Sequence, residues 1–288
     1  MRRRGAGDGG ASPETVVTRI DAIPPGGLAP DTVASGFPSL DRMLAGGFRR
    51  QDLAILCGDV GSGKSALALG IAIRAALAGV PVLHLSGEMG PDRVMERALA
   101  LEGKVPIDDL RQNRLDATAR AAVGGAAHRL RDVPLLLRPL LGESFAEVRD
   151  ALDVLPPRGL LVVDSLQLTP SPRPAGRLEE RVALAVRALK ALAVDREVAV
   201  LATAQLPRHR ASRPDPRPTL DDLGGLGAIK QNADVVLALY REEMYRPGQG
   251  VEGATELIVA KNRNGATGFV DLYFYPQWLR FEDMLDPS

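Results

Sequence analysis

"DLAILCGDVGSGKSALALGIAIRAALA", residues 52–78, decides how the rest of the chain is read. "DLAILC" is a short apolar run, the pattern of a strand buried on both faces. "GDVGSGKS" then matches G-x-x-x-x-G-K-[ST] at Gly58, Gly63, Lys64 and Ser65. "KSALALGIAIRAALA" continues as an almost wholly apolar helix, closed by Gly79 and Pro81. Strand, glycine-rich loop and helix are the context in which that spacing binds phosphate. Gly61, Ser62 and Gly63 let backbone N–H groups turn inward around an anion. Lys64 is placed to neutralise β- and γ-phosphates, the Ser65 hydroxyl to hold Mg²⁺, and the helix adds its positive N-terminal end. A nucleoside triphosphate with Mg²⁺, taken as ATP, is the implied ligand.

Outward from this loop the chain alternates strands and helices. "PVLHLS", "VPLLLRP", "GLLVVDS" and "EVAVLATAQ" read as strands; "PDRVMERALALE", "SFAEVRDALDVL" and "GRLEERVALAVRALKALAVD" read as helices. Ser144 and Glu147 stand in capping-box spacing at the start of the second of these helices. Continuous apolar strands with helices between them predict an α/β fold, a parallel twisted sheet with helices on both faces. The order changes near the C-terminus. "ADVVLALY", "TELIVAKN" and "GFVDLYFY" follow one another without a helix, and the last two straddle Asn264-Gly265. That is a hairpin signal, so an antiparallel element extends the parallel core.

Ligands of such sheets gather at the carboxyl ends of the strands. Asp164 ends "LLVVD" and is placed to hold Mg²⁺; capping the next turn is its alternative use. Glu88 follows "VLHLS", where a carboxylate either orients the attacking water or simply begins the next helix. Gln205 ends "AVLATAQ" as a γ-phosphate sensor or as a polar strand end facing water. His84, His128 and His209 show no metal-ligand spacing.

Composition sets outer limits. The chain has 288 residues, with Lys+Arg and Asp+Glu at 36 each, so it is not coated in positive charge, although a local basic groove remains open. The single Cys57 excludes an internal disulfide and fits a reducing, cytoplasmic setting; it lies in an apolar run and reads as an inert buried thiol. No apolar run approaches the roughly 20 residues a membrane helix needs. Residues 1–12 read as a disordered tail. Residues 13–34 read as a short amphipathic helix (13–23) and connector, and 35–288 as one domain. The Pro/Arg-rich stretch 207–218 reads as a long exposed loop.

"SGFPSLDRMLAGGFRRQDLAILCGDVGSGKS" resembles the start of a RecA-type P-loop ATPase core. "LSGEM", "LLVVDSLQL", "ATAQLPR", "AIKQNADVVLALYREEMY" and "IVAKNRNGATG", in that order, resemble the C-terminal motor domain of DnaB-type replicative DNA helicases, from about Glu14 to Glu282. The last two motifs are the specific ones. The resemblance implies a ring, usually of six copies, that hydrolyses ATP between neighbours and draws single-stranded DNA through its pore 5′ to 3′, together with other replication proteins. It implies that Glu88 is the catalytic glutamate, that Gln205 is the sensor, and that Arg97 contacts nucleotide unless it pairs on its helix surface. It implies further that Lys261 and Arg263 reach the γ-phosphate of the adjacent copy. From pattern alone, the same two cations could instead be a solvated hairpin tip.

Three departures stand out. The residues before the core do not supply the family's N-terminal domain, and only its linker helix is expected, at 13–23. In the DNA-contacting loop, "DDLGGLGAIKQ" carries Gly224-Gly225 where the family has an Arg-Glu pair. Backbone N–H groups at Gly225 and Gly227 can still meet phosphate. Arg208, Arg210, Arg213 and Arg217 are the cations placed to compensate. Finally, Ser165 stands where an aromatic is common, which implies a packing change only. Two other readings stay open: a recombination- or clock-type RecA-fold ATPase that remodels filaments or proteins, and a helicase paralogue acting as an ATP-gated regulatory binding protein.

Overall fold

The computed structural model describes residues 12–23, 29, 31–140, 144–156, 158–206, 213–248 and 250–284. In chain order, the elements begin with helix α1 (Pro13–Asp21), strand β1 (Thr32–Val33), α2 (Pro38–Met43), β2 (Phe48–Arg49), β3 (Leu53–Gly58) and α3 (Lys64–Leu77). Next come β4 (Val82–Ser86), α4 (Pro91–Gly103), α5 (Ile107–Arg111), α6 (Ala117–Leu130), β5 (Leu135–Pro139), α7 (Phe145–Ala151), β6 (Leu160–Asp164) and α8 (Leu178–Asp195). The chain ends with β7 (Ala199–Gln205), α9 (Gly227–Asn232), β8 (Val235–Arg241), β9 (Ala254–Asn262), β10 (Gly268–Tyr275) and β11 (Arg280–Asp283).

Among the described residues, nine strands form one sheet in the order β11-β10-β9-β8-β3-β7-β6-β4-β5. From β8 to β5 every pairing is parallel; β9, β10 and β11 extend the β8 edge antiparallel. The expected parallel core with an antiparallel extension is therefore present. All six residues of β3 are buried, as a strand with helices over both faces requires. On one face Ala54, Leu56, Leu160 and Val162 pack with Leu67, Ile71 and Ala75 of α3 and with Phe37 and Leu40. On the other, Leu53, Ile55 and Cys57 pack with Val182, Val186 and Leu189 of α8 and Ile229 of α9. Among the described residues no helix is long and apolar enough to cross a membrane.

Local signals met different fates. Ser12 caps α1, its Oγ accepting from the Thr15 N–H at 3.3 Å; Val17 and Ile20 of that helix are exposed. Ser144 begins α7 as expected, but its side chain makes no cap hydrogen bond. The capping box lies elsewhere, between Thr219 and Asp222 at the turn Leu220–Leu226. The β9–β10 hairpin is closed by residues 263–267, and neither Asn264 nor Gly265 takes the positive φ of a two-residue turn. A bulge between Val236 and Leu237 leaves Ala260 extra in β9.

β11, which the hydrophobic pattern did not reveal, seals the sheet beneath the phosphate loop. Phe281 is buried and stacks on Phe274, ring centroids 4.4 Å apart. A Cβ added to Gly63 would lie 2.8 Å from the Phe281 ring, so this strand sets the floor of the loop. Phe281→Ala should therefore cost about 3–5 kcal/mol in urea unfolding. Cys57 is fully buried and its thiol is pushed up to about 12, chiefly by desolvation. It should resist an aromatic disulfide reagent at pH 8 in the native protein and react fully in denaturant.

Candidate nucleotide site

The loop between β3 and α3 takes the conformation that its glycines allow. Gly61 has φ +79° and Gly63, which precedes the first turn of α3, has φ +99°. Gly58 is confined for a different reason: a Cβ there would meet Ser62 Oγ at 2.9 Å and Leu239 O at 3.0 Å. Ser62 is buried under the loop, its hydroxyl unpartnered among the described residues. Lys64 Nζ donates to the Asp59 carbonyl at 2.6 Å. Burial pulls the Lys64 ammonium below its ordinary pKa, while Asp59, Asp164 and Glu88 act in the opposite sense.

A cavity of about 690 Å³ opens over this loop. Gly61, Gly63, Lys64, Ser65, Glu88, Arg97, Asp164 and Gln205 all line it, so residues far apart in sequence meet at the carboxyl ends of β3, β4, β6 and β7. Asp164 is buried, and its Oδ1 accepts from Thr203 Oγ1 at 2.5 Å, which fixes the carboxylate; Oδ2 has no hydrogen-bond partner among the described residues. One hydroxyl and one carboxylate oxygen are a fitting partial set for Mg²⁺, which completes its shell with phosphate and water. Glu88 lies before α4, whose N-cap is Gly90, and is exposed at the cavity mouth rather than starting that helix. Arg97 extends from α4 into the cavity without an ion pair among the described residues, its Nε buried and unpartnered. Burial lowers its pKa, with nearby Arg111 adding to the effect, yet a guanidinium remains charged.

Among the cavity members that sequence reasoning missed are Arg241 and Gln167. Arg241 ends β8, and its Nη1 donates to the Gly61 carbonyl at 3.1 Å. Its guanidinium lies 4.5 Å from the Phe274 ring centroid and is paired with Glu243. The strand-end rule that found Asp164 and Gln205 applies equally here, had "ADVVLALY" been followed one residue further. Gln167 lines the cavity and clamps the backbone of Gln205: its Nε2 donates to Gln205 O at 3.1 Å and its Oε1 accepts from Gln205 N at 3.4 Å.

Lys261 and Arg263 are not in this cavity. β9 runs antiparallel to β8, so Lys261 sits level with Val236 and Ile55, and Arg263 level with Asp234 and Leu53 at the amino end of β3. The bulge at Ala260 turns Lys261 toward α9, where Nζ donates to the carbonyls of Lys230 and Ala233, both at 2.6 Å. Arg263 reaches the same side, pairing with Asp234 at 2.8 Å and donating to Gln231 O at 3.2 Å. The two cations thus share a direction, as residues two apart in extended chain do, and the bulge before them decides which face they meet.

The expected DNA-facing cations divide. Arg208 and Arg210 lie outside the described residues. Arg213 and Arg217 are not free, as the loop reading had them. Arg213 forks onto Asp222 at 2.9 and 3.0 Å, and Arg217 onto Glu256 at 2.7 and 2.5 Å. Gly225 lies in the turn Leu220–Leu226, and Gly227 begins α9. Removing the Arg241 brace should loosen the phosphate loop without unfolding the chain. Arg241→Ala is expected to weaken binding of a fluorescent ADP analogue about tenfold, or ~1.4 kcal/mol, with thermal unfolding little changed. Unchanged affinity would contradict the role given to this contact.

The sequence model of the DnaB-like helicase C-terminal domain matches residues 32–283. The replicative DNA helicase DnaB of Leifsonia xyli subsp. xyli (strain CTCB07) is 34% identical over 256 residues, covering 88% of this chain and 56% of its own length. That of Geobacillus stearothermophilus is 33% identical over 261 residues with the same coverage. The chain therefore spans about half the length of the curated relatives it matches. Two solved structures, one an ATPase domain and the other a DnaB-like replicative helicase studied with its interactions with primase, each superpose with TM-score 0.85 at 26% identity. They cover 94% of this chain, and the match takes in 97% and 67% of their own lengths respectively. A nine-stranded sheet of this order, a phosphate loop at its carboxyl end and these matches agree: the chain belongs to the DnaB-like helicase C-terminal domain family.

Proposed function

We propose that the chain is an ATP-driven motor on single-stranded DNA that works as a ring of copies, with ATP hydrolysed at the contacts between them. One observation carries this reading. The phosphate loop leaves the carboxyl end of β3, whereas Arg263 lies level with its first residue, Leu53, and Lys261, level with Ile55, is tied to carbonyls on the same side as Arg263. Five residue steps along the strand put Arg263 about 17 Å from the loop. A chain therefore cannot bring this pair to its own phosphates, but a neighbour can. Cations supplied in trans can be worth roughly 10³–10⁵ in rate, because they meet charge that develops only in the transition state.

Within one copy the division of labour follows from the cavity. Lys64 and the loop N–H groups hold phosphate oxygens. Ser65 and Asp164 would hold Mg²⁺, which supplies charge neutralisation at the β- and γ-oxygens. Glu88 takes a proton from the attacking water. Gln205 is clamped by Gln167 at the end of β7, just before the Pro/Arg-rich stretch 207–218 in sequence, and so would link phosphate state to that stretch. DNA is the proposed partner of this stretch, of the turn holding Gly225 and of Gly227 at the start of α9. Domain boundaries at 13–34 for the linker and 35–288 for the motor are part of the same reading.

A second reading, an ATP-gated regulator docked on another ring, rests on the same turn alone; the family matches do not favour it. Gly224-Gly225 offers no cation there, Lys230 is paired with Asp221 at 2.7 Å, and Arg213 is held by Asp222. Hydrolysis measured with and without single-stranded DNA, followed by strand displacement on a forked duplex, separates the two. DNA-stimulated hydrolysis with unwinding is expected; no stimulation and no DNA affinity at low salt would leave the regulator. Arg263→Ala should lose at least about 10³ in kcat while still binding nucleotide. Mixed with Lys64→Ala chains it should regain activity, since one chain keeps a phosphate loop and the other a finger. Full activity of Arg263→Ala alone would remove the trans assignment.

A further inference from the structure

Outside the cavity, a second cluster of charge lies at the amino end of β3. Asp234, just before β8, has a side chain only 2% exposed. Its Oδ2 accepts from the Leu53 N–H at 2.9 Å and from Lys190 Nζ at 2.6 Å. Its Oδ1 pairs with Arg263 Nη1 at 2.8 Å. The backbones are tied as well: Arg263 N–H donates to Asp234 O at 2.8 Å, and Asp234 N–H donates to Leu53 O at 2.9 Å. Beside it, Asp52 accepts from Asn264 Nδ2 at 2.6 Å and lies 3.6 Å from Lys190. Burial first, and then the charge of Asp234, hold the Asp52 carboxyl above its usual range.

Stability alone is a weak reason for this arrangement. Lys190 already neutralises Asp234, and a buried ion pair gains little over an apolar replacement. What the second cation gains is direction. A guanidinium has five donors in a rigid fork, so one edge can be held while the other is presented. Arg263 is held on Nη1 by Asp234 and on Nη2 by the Gln231 carbonyl at 3.2 Å, which leaves its other N–H groups to be presented, and it remains 50% exposed. We propose that Asp234 is the positioning residue for Arg263, with the Asp52–Asn264 bond as a second brace. Together they fix the guanidinium at the hairpin tip before a neighbouring copy docks. The same carboxylate holds the first residue of the strand that ends in the phosphate loop. The finger that a chain offers is thereby set in register with its own nucleotide site. This inference rests on the reading that Arg263 serves a neighbour's ATP.

The test uses the full chain with Mg-ATP and single-stranded DNA. Asp234→Asn keeps the shape and an acceptor oxygen but removes the charge that holds Arg263. Its kcat should fall about 10- to 100-fold, part of what a finger supplies, with KM for ATP unchanged within about twofold. Mixing with Lys64→Ala chains should restore activity, because the Asp234→Asn chain still offers an intact phosphate loop. Mixing with Arg263→Ala chains should not, because both lack a positioned finger. The Asp234→Asn/Arg263→Ala double variant should be no slower than Arg263→Ala alone. A loss that Lys64→Ala chains do not restore marks a defect in the chain's own site and overturns the positioning role. Wild-type kcat in Asp234→Asn overturns it equally. The control mixture of Arg263→Ala with Lys64→Ala tells the two failures apart: without recovery there, the trans assignment fails and this inference with it. Should Asp234→Asn not fold, Asn264→Ala, at an exposed position, replaces it. A complementable loss of about fivefold, the worth of one hydrogen bond, is expected there. No loss overturns the proposal.

Discussion

The structure depends on β3. It is buried along its whole length between β7 and β8, and its two ends lead to different groups of charge. At the carboxyl end the chain turns through Gly61 and Gly63 into α3 and forms the phosphate loop. At the amino end the Leu53 N–H is bonded to Asp234, which also holds Arg263. Because parallel strands put all their carboxyl ends on one side, Glu88, Asp164 and Gln205 gather around the loop. Because β9 runs the other way, its distal cations come out on the opposite side. Separation of the phosphate loop from Lys261 and Arg263 is thus a consequence of strand direction, not of any single side chain.

Much of this was legible in the sequence, for identifiable reasons. The apolar runs around Leu53–Cys57, Leu160–Val163 and Ala199–Ala204 carry no polar alternation, which is the mark of a strand buried on both faces. The phosphate-loop spacing and the acid at a strand end then located most of the cavity. What could not be read depends on contacts distant in sequence. α6, "ATARAAVGGAAHRL", has two glycines and a weak apolar stripe; it is held by packing on α4, with Ala126 and Leu130 buried. β11 is four residues with one buried side chain, Phe281, and its position under Gly63 is a tertiary fact. The bulge at Ala260 has no local signal, yet it decides which face Lys261 meets. Arg241 was within reach of the strand-end rule.

A formal net charge of zero hides a marked division of cations. Lys64, Arg97 and Arg241 face one cavity, where burial lowers the pKa of each. Lys190, Lys261 and Arg263 gather at the other end of the sheet around Asp52 and Asp234. Arg213 and Arg217 bind residues 213–217 to Asp222 and Glu256. Each group of cations is either engaged by the chain's own acids or left facing a space of the right size for phosphates. Assembly is what would bring the second group to the first.

The claim that assembly is a condition of catalysis is tested most directly by measuring ATP hydrolysis per chain across a dilution series, alongside solution mass with nucleotide present. Specific activity should fall toward zero as the mass falls to that of a single copy. Constant specific activity down to the monomer would contradict the account.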